Sequence, residues 1–264
     1  MIVAGLHRNT GRIVAGGMID LAPPPPSLLI DASLFLDFDG TLVEIADTPD
    51  AVAVGHGVAP LLERLAAALP GGVAIVSGRP VHEVQALVAP ATLPIAGSHG
   101  LEIAAADGAI AAPDRPAALD TALAASRVFA SRHPGTLVED KPFGVGLHYR
   151  GAPEAGEAVA ALAEELAAAH DLHLQHGKMV VELRLAGRDK GAAVEWLMAE
   201  PARCRTVPVF VGDDVTDEAG FAAAVAMGGA GVLVGPARAT SATYRVNCVA
   251  DVLAWLDAAC REMT

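Results

Sequence analysis

The stretch "SLFLDFDGTLVEI", residues 33–45, decides the fold. Leu34-Phe35-Leu36 is an apolar run that stops abruptly at Asp37 and Asp39, with Gly40 and Thr41 behind them. A short apolar run of this kind reads as a strand buried on both faces. Two carboxylates so close together repel each other, and a folded chain keeps them only where a cation, a proton or both compensate.

Outward from this stretch the rhythm is strand, helix, strand. "VAPLLERLAAAL" (58–69) places Val58, Leu61, Leu62, Leu65 and Leu69 on one helical face. "VAIVSG" (73–78) is the next strand, and Pro80 then opens a helix striped by Val81, Val84, Leu87 and Val88. "VPVFVGDD" (207–214), "DEAGFAAAVA" (217–226) and "GVLVG" (231–235) repeat the alternation. Apolar strands alternating with helices predict an α/β fold, a parallel sheet covered on both faces. Ligands of such sheets bind beyond the carboxyl ends of the strands. Asp37, Ser77 and Asp213 each stand at such an end and are expected to converge.

The middle of the chain breaks this rhythm. From Ser77 to Lys190 is far longer than the roughly 30 residues of one strand–helix–strand unit. In "FGVGLHYR" (143–150), Val145, Leu147 and Tyr149 face one way, His148 and Arg150 the other. In "KMVVELRL" (178–185), Met179, Val181, Leu183 and Leu185 oppose Lys178, Glu182 and Arg184. Period-two alternation marks a sheet with one wet face. Helical stretches around 119–132 and 154–169 accompany it. The expected organisation is a Pro-rich tail at 1–30, a core at 31–111 and 187–264, and a smaller α+β domain inserted at 112–186. In the tail, Pro23–Pro26 reads as a polyproline II spacer outside the fold, and Met18 is a candidate start.

The composition narrows the function. Mean hydropathy is +0.42 and 53% of residues are hydrophobic, but much of that is alanine, and no apolar run nears the ~20 residues of a spanning helix. No signal-peptide pattern opens the chain. Cys204, Cys248 and Cys260 lack CxxC spacing and read as reduced thiols of a cytoplasmic protein. A net charge of −13 argues against nucleic acid, so the expected partner is a small molecule.

Four pieces now stand in order: Asp37-Phe38-Asp39-Gly40-Thr41, Ser77-Gly78-Arg79, Lys190-Gly191, and Gly212-Asp213-Asp214-Val215-Thr216-Asp217-Glu218. Together they resemble the four motifs of the haloacid-dehalogenase-like phosphatase superfamily, over the chain from about residue 31 to its end. The resemblance implies a Rossmann-like core with an inserted α+β cap. It also implies that Asp37 is the nucleophile of an aspartyl-phosphate mechanism and that Asp39 is the general acid and base. Mg²⁺ is expected between Asp37 and Asp213, with the Asp39 carbonyl completing its shell and Asp217 and Asp214 orienting its waters. Thr41, Ser77, Gly78, Arg79 and Lys190 are the implied phosphate contacts. Phosphate monoesters need accelerations of up to roughly 10²¹, which a carboxylate nucleophile makes attainable by dividing the reaction in two.

Asp39 separates phosphatases from dehalogenases, since a halide leaves without a proton and an alkoxide does not. Further stretches resemble trehalose-6-phosphate phosphatases: "AGSHGLE" (96–102), "VEDKPFGVGLHYR" (138–150), "HGKMVVELR" (176–184) and "GDDVTDE" (212–218). By that resemblance Glu139, Lys141, Arg150, Lys178 and Glu182 grip the disaccharide from a lid, and His99 and Glu102 touch substrate or lid. The implied enzyme is a monomeric, cytoplasmic trehalose-phosphatase. Plainer readings stand beside these: Lys178 and Glu182 as a solvated face, His99 and His148 as packing residues, Asp214 as a strand cap. The alternatives in function are a phosphatase or mutase of sucrose 6-phosphate or a hexose phosphate, a two-component receiver domain, and a non-catalytic sugar-phosphate sensor. The receiver is about half this size, and a sensor is expected to have lost Asp37 or Asp39.

Overall fold

The computed structural model describes residues 12–13, 19–46, 51–105 and 108–263. The chain divides into two compact units, Met1–Ala111 with Arg188–Thr264, and Ala112–Gly187.

In chain order the first unit begins with β1 (Arg12–Ile13) and β2 (Ile19–Asp20), a two-residue antiparallel ladder. Next come β3 (Ala32–Leu36), α1 (Val58–Ala68), β4 (Val73–Val76), α2 (Val81–Val88), β5 (Ile95–Gly97), β6 (Glu102–Ala104) and β7 (Ile110–Ala111). The inserted unit supplies α3 (Ala117–Arg132), β8 (Leu137–Lys141), β9 (Gly144–His148), α4 (Gly156–His170), β10 (Leu172–Gly177) and β11 (Val180–Leu185). The chain returns with α5 (Lys190–Met198), β12 (Val207–Gly212), α6 (Glu218–Ala226), β13 (Ala230–Val234), β14 (Tyr244–Val246) and α7 (Val249–Met263).

The first unit is an eight-stranded sheet in the order β14-β13-β12-β3-β4-β5-β6-β7. The strands from β14 to β5 run parallel; β6 and β7 are antiparallel additions. Alternate residues of the central strands feed two cores. Leu34, Leu36, Val209 and Val211 pack with α1, α2 and α7. Phe35 and Phe210 pack with α5 and α6 on the other face. There Phe210 meets Phe221 edge-on at 5.7 Å, an arrangement worth about 0.5–1.5 kcal/mol beyond the area it buries. The alternation explains why these strands are apolar throughout: both faces are covered, so no position stays wet.

Pro23–Leu29 does not stay outside the fold as the proline run suggests. A proline lacks the N–H but keeps its carbonyl, and the Trp255 indole donates to Pro25 O at 3.2 Å while Arg245 N donates to Ala22 O at 3.0 Å. Leu29 is fully buried in the core. Residues 1–11 and 14–18, with the candidate start Met18, lie outside the described residues.

The inserted unit is an antiparallel sheet ordered β10-β11-β9-β8, with one face covered by α3 and α4 around Val145, Leu147, Val181 and Leu183. The opposite face carries Glu139 and Lys141 from β8, Gly144, Gly146 and His148 from β9, and Glu182 from β11. Pairing aligns Glu139, Gly146 and Glu182 in one row across three strands. Lys178 is not on this face with Glu182. Met179 has φ +65°, so Lys178 and Met179 form the turn between β10 and β11, and the alternation read through them runs past the strand's start. Arg150 likewise lies beyond the end of β9. Both are exposed at the same end of the sheet, where Tyr149 N donates to Met179 O at 3.0 Å.

Candidate active site

Three neighbouring parallel strands, β12, β3 and β4, end in Gly212, Leu36 and Val76. The next polar residues, Asp213, Asp37 and Ser77, therefore project from the carboxyl edge of the sheet. Asp37 N donates to Val211 O at 2.9 Å, tying the first aspartate to the strand that delivers the second. The turn after Asp39 needs Gly40: its φ is +78°, and a Cβ there would lie 2.2 Å from Asp213 Oδ2. A bare backbone lets the Asp213 carboxylate settle against this turn.

Asp37, Asp213 and Asp217 each offer a carboxylate oxygen within 4.8 Å of the others, the one such group among the described residues. Lys190, the first residue of α5 and buried, spans two of them: Nζ lies 2.7 Å from Asp37 Oδ1 and donates to Asp217 Oδ1 at 2.6 Å. Asp217 is fully buried, and its other oxygen accepts from Asp214 N at 2.9 Å. Asp214, grouped with the metal residues in the sequence reading, turns away. It is exposed and caps the turn Val215–Asp217 by accepting from Val215 N.

Three carboxylates against one ammonium leave this pocket over-negative. Burial, then the Asp217 and Asp213 charges, raise Asp37 well above the carboxylate range against the pull of Lys190. Burial and the Asp217 and Asp214 charges push Asp213 from 3.8 up to about 7. Burial alone lowers Lys190, but Asp217 and Asp37 overcome it and raise its basicity. The residues fit a divalent cation: buried oxygen donors, surplus negative charge, and a carboxylate seated where a Cβ is missing. An all-oxygen set suits Mg²⁺ or Ca²⁺ better than a softer metal.

This charge surplus sets a pH dependence. Asp213 titrates near 3.8 when unfolded and near 7 when folded, so the folded state binds the extra proton between those values. In chelator, the contribution of Asp213 to thermal stability is expected to fall as pH rises from about 4 to about 7. Asp213→Asn should flatten that decline, and Mg²⁺ should raise the midpoint most at pH 7 and above. Melting curves of wild type and Asp213→Asn, in chelator and in Mg²⁺ across this range, check it; the same pH dependence in both proteins overturns it.

Asp39 stands outside the cluster. Its carboxylate takes both arms of Arg79, Nε at 2.6 Å and Nη2 at 2.9 Å, and Arg79 Nη1 reaches Glu83 Oε2 at 3.2 Å. Arg79, expected among the phosphate contacts, is thus drawn to a carboxylate, the strongest partner a guanidinium fork finds. Burial opposes its charge, yet Asp39 and Glu83 raise its basicity. Ser77 Oγ accepts from Arg79 N at 3.1 Å, so its hydroxyl proton points elsewhere. The buried hydroxyl of Thr41 has no partner among the described residues.

Ser98, His99 and Gly100 hold three consecutive left-handed conformations, φ +49°, +57° and +94°. The turn clasps the Ser77 loop: His99 N donates to Ser77 O at 2.9 Å and Ser98 N to Arg79 O at 2.8 Å. The His99 ring occupies the space where Gly78 lacks a Cβ, 2.8 Å from its ideal position. Ser98 Oγ donates to the buried Glu102 carboxylate. His99 is itself buried, and its described contacts hold the loop.

On the wet face of the inserted unit, Lys141 Nζ donates to Glu182 Oε2 at 2.8 Å and lies 3.7 Å from Glu139 Oε2. His148 Nε2 is 2.9 Å from the same Glu139 oxygen. Burial raises Glu139, but the His148 bond and the Lys141 charge outweigh it and lower its pKa. Gly144 and Gly146 leave the strand between these side chains bare. Arg238 and Glu83, which pair with site residues, carry no signal in the sequence reading. Each is a charged residue on a loop or helix turn, and spacing does not announce its partner.

A parallel sheet with paired aspartates closing its central strand, a buried lysine and a third acidic motif defines a hydrolase of the haloacid-dehalogenase type. The chain belongs to the trehalose-phosphatase family, whose model matches residues 35–250. It is 38% identical over 235 residues to a trehalose-6-phosphate phosphatase of Escherichia coli K12, covering 88% of each chain. It is 39% identical over 206 residues to a probable trehalose-phosphate phosphatase of Sinorhizobium fredii, covering 77% of this chain and 78% of that one. Among solved structures, a trehalose-6-phosphate phosphatase related protein superposes with TM-score 0.76 at 26% identity, covering 87% of this chain and 97% of that one. A Candida albicans trehalose-6-phosphate phosphatase C-terminal domain shares the fold, with TM-score 0.81 at 21% identity over 93% and 99% of the two chains. No helix among the described residues is long and apolar enough to cross a membrane.

Proposed function

We propose that this protein hydrolyses trehalose 6-phosphate to trehalose and phosphate through an aspartyl phosphate on Asp37, with Mg²⁺ as cofactor. The carrying observation is the set of buried Asp37, Lys190 and Asp217 with half-buried Asp213, and a second carboxylate, Asp39, held apart from it by Arg79. One Asp37 oxygen attacks phosphorus while the bond from phosphorus to the sugar oxygen breaks. Asp39, released from Arg79 and protonated, gives its proton to that oxygen. A water then attacks phosphorus, Asp39 takes up a proton, and the bond to Asp37 breaks. Lys190 keeps Asp37 aimed, while Ser77 Oγ and the Thr41 hydroxyl donate to phosphoryl oxygens. Asp37 and Asp213, backed by Asp217, would hold the Mg²⁺, which when bound would offset the charge of carboxylates and phosphate.

The wet face of the inserted sheet reads the sugar. Glu139 and Glu182 accept from hydroxyls, and Lys141 and His148 hold both carboxylates in position. Arg150 and Lys178 add cations at one end of that sheet. Measuring phosphate release from trehalose 6-phosphate, sucrose 6-phosphate, glucose 6-phosphate and p-nitrophenyl phosphate tests the reading. Trehalose 6-phosphate should give the highest kcat/KM; a higher value for a hexose phosphate overturns the substrate. Glu182→Ala should lower kcat/KM for trehalose 6-phosphate roughly 10- to 150-fold, the loss of one charge-assisted hydrogen bond. Hydrolysis of p-nitrophenyl phosphate should change little. An unchanged ratio between these two substrates would make this face a solvated surface.

A further inference from the structure

The loop after β13 sends one side chain to the metal-facing loop after β12. Arg238 Nη2 donates to Asp214 O at 2.8 Å and to Asp213 O at 3.4 Å. Its Nη1 donates to the Glu218 carboxylate, whose other oxygen accepts from Ser241 N at 2.7 Å. Nη1 also reaches Ala239 O at 3.3 Å. One guanidinium thus binds two carbonyls of the loop, the first residue of α6 and its own loop together. Within the loop, Asp213 and Asp217 belong to the buried acidic cluster and Glu218 follows Asp217 directly. The Arg238 side chain keeps about a quarter of its surface in solvent, and it touches neither the cluster's carboxylates nor Lys190 in any described contact.

We propose that Arg238 is a positioning residue that sets the cation affinity of the acidic cluster, by clamping the backbone from which Asp213 and Asp217 project. The proposal rests on the reading that this cluster holds a divalent cation. The clamp acts where aim matters most. Asp213 is a strand-end residue with a side chain pressed on Gly40, and rotation of its peptide would carry the carboxylate away from Asp37 and Asp217. A planar fork with five donors can satisfy acceptors in several directions at once, which an ammonium cannot. Its positive charge alone would repel a cation, so what the residue adds to affinity comes from the geometry of the clamp. Groups that orient metal ligands without touching the metal typically govern affinity by 10- to 100-fold.

The test is Mn²⁺ binding to the full chain, followed by the electron paramagnetic resonance signal of free Mn²⁺, which needs no turnover. Arg238→Ala should weaken Mn²⁺ binding by roughly 10-fold or more. It should raise the Mg²⁺ concentration for half-maximal activity by a similar factor. At saturating Mg²⁺ the KM for substrate should match wild type. Arg238→Lys, with the charge but not the fork, should recover only part of the affinity. The thermal midpoint in chelator separates positioning from folding and should match wild type for Arg238→Lys. Wild-type Mn²⁺ affinity in both variants overturns the proposal, as does an affinity loss that only tracks a lowered metal-free midpoint. A wild-type protein that binds no Mn²⁺ overturns instead the reading of the cluster as a cation site.

Discussion

Asp37→Asn is expected to lower phosphate release from trehalose 6-phosphate by at least roughly 10⁴-fold, the scale on which losing a catalytic nucleophile is felt. The amide keeps the shape but has no anionic oxygen to bond phosphorus, and no other carboxylate stands in its place. Asp217 is spanned by Lys190 and fully buried, and Asp213 is seated on Gly40. The fold should survive. Burial already disfavours the Asp37 anion, so a neutral side chain suits the site in the absence of metal, and Lys190 retains Asp217. Initial rates on protein checked by mass for deamidation, together with a melting curve in chelator, decide it. A variant that folds and keeps a tenth of the wild-type rate removes Asp37 from the nucleophile's role.

Asp39→Ala should lower turnover by ~10²–10⁴-fold, the usual range for a general acid and base. The loss should depend on the leaving group. A sugar alkoxide departs with great difficulty unless protonated, whereas p-nitrophenolate departs readily, so the first step loses much less on the aryl substrate. The geometry adds a second expectation. Arg79 holds Asp39 with two hydrogen bonds and Glu83 with one, so the variant removes both bonds to Asp39 and leaves the one to Glu83. The KM for phosphate esters should then stay level or fall, because a cation near the strand ends becomes available to the substrate. Equal losses of kcat/KM, which reports the first step, on both substrates would give Asp39 a structural role instead.

The parts of this molecule legible from sequence are those where one physical signal suffices. The runs at 34–36, 73–76 and 207–212 are apolar on both faces, so they read as central parallel strands, and the polar residue after each marks the edge where Asp37, Ser77 and Asp213 emerge. The short strands β5, β6, β7 and β14 have two or three residues each, too few for any period to register, so the antiparallel extension of the sheet stays invisible. Which charges pair is equally hidden. Arg79 lies among phosphate-loop residues yet binds Asp39, forty positions earlier, because only the fold brings that carboxylate within reach. Lys178 shows the opposite failure. The alternation runs smoothly through it, but a left-handed Met179 turns the chain there, and side-chain hydrophobicity carries no record of φ.

The position of β3 between β4 and β12 has a consequence for how the chain is made. Its partner β4 follows within 37 positions of Leu36, but Val207, where β12 begins, comes 171 positions after it. At translation speeds of about 5–20 residues per second, roughly 9 to 34 s separate the two. For that interval a fully buried central strand of the sheet has an unpaired edge, the kind of template that invites pairing with another chain. The inserted unit closes its own sheet within 112–187 and is complete before β12 is synthesised. The ribosome therefore delivers a finished domain in the midst of an unfinished one, and Asp37 meets Asp213 and Asp217 only when the last third of the polypeptide arrives.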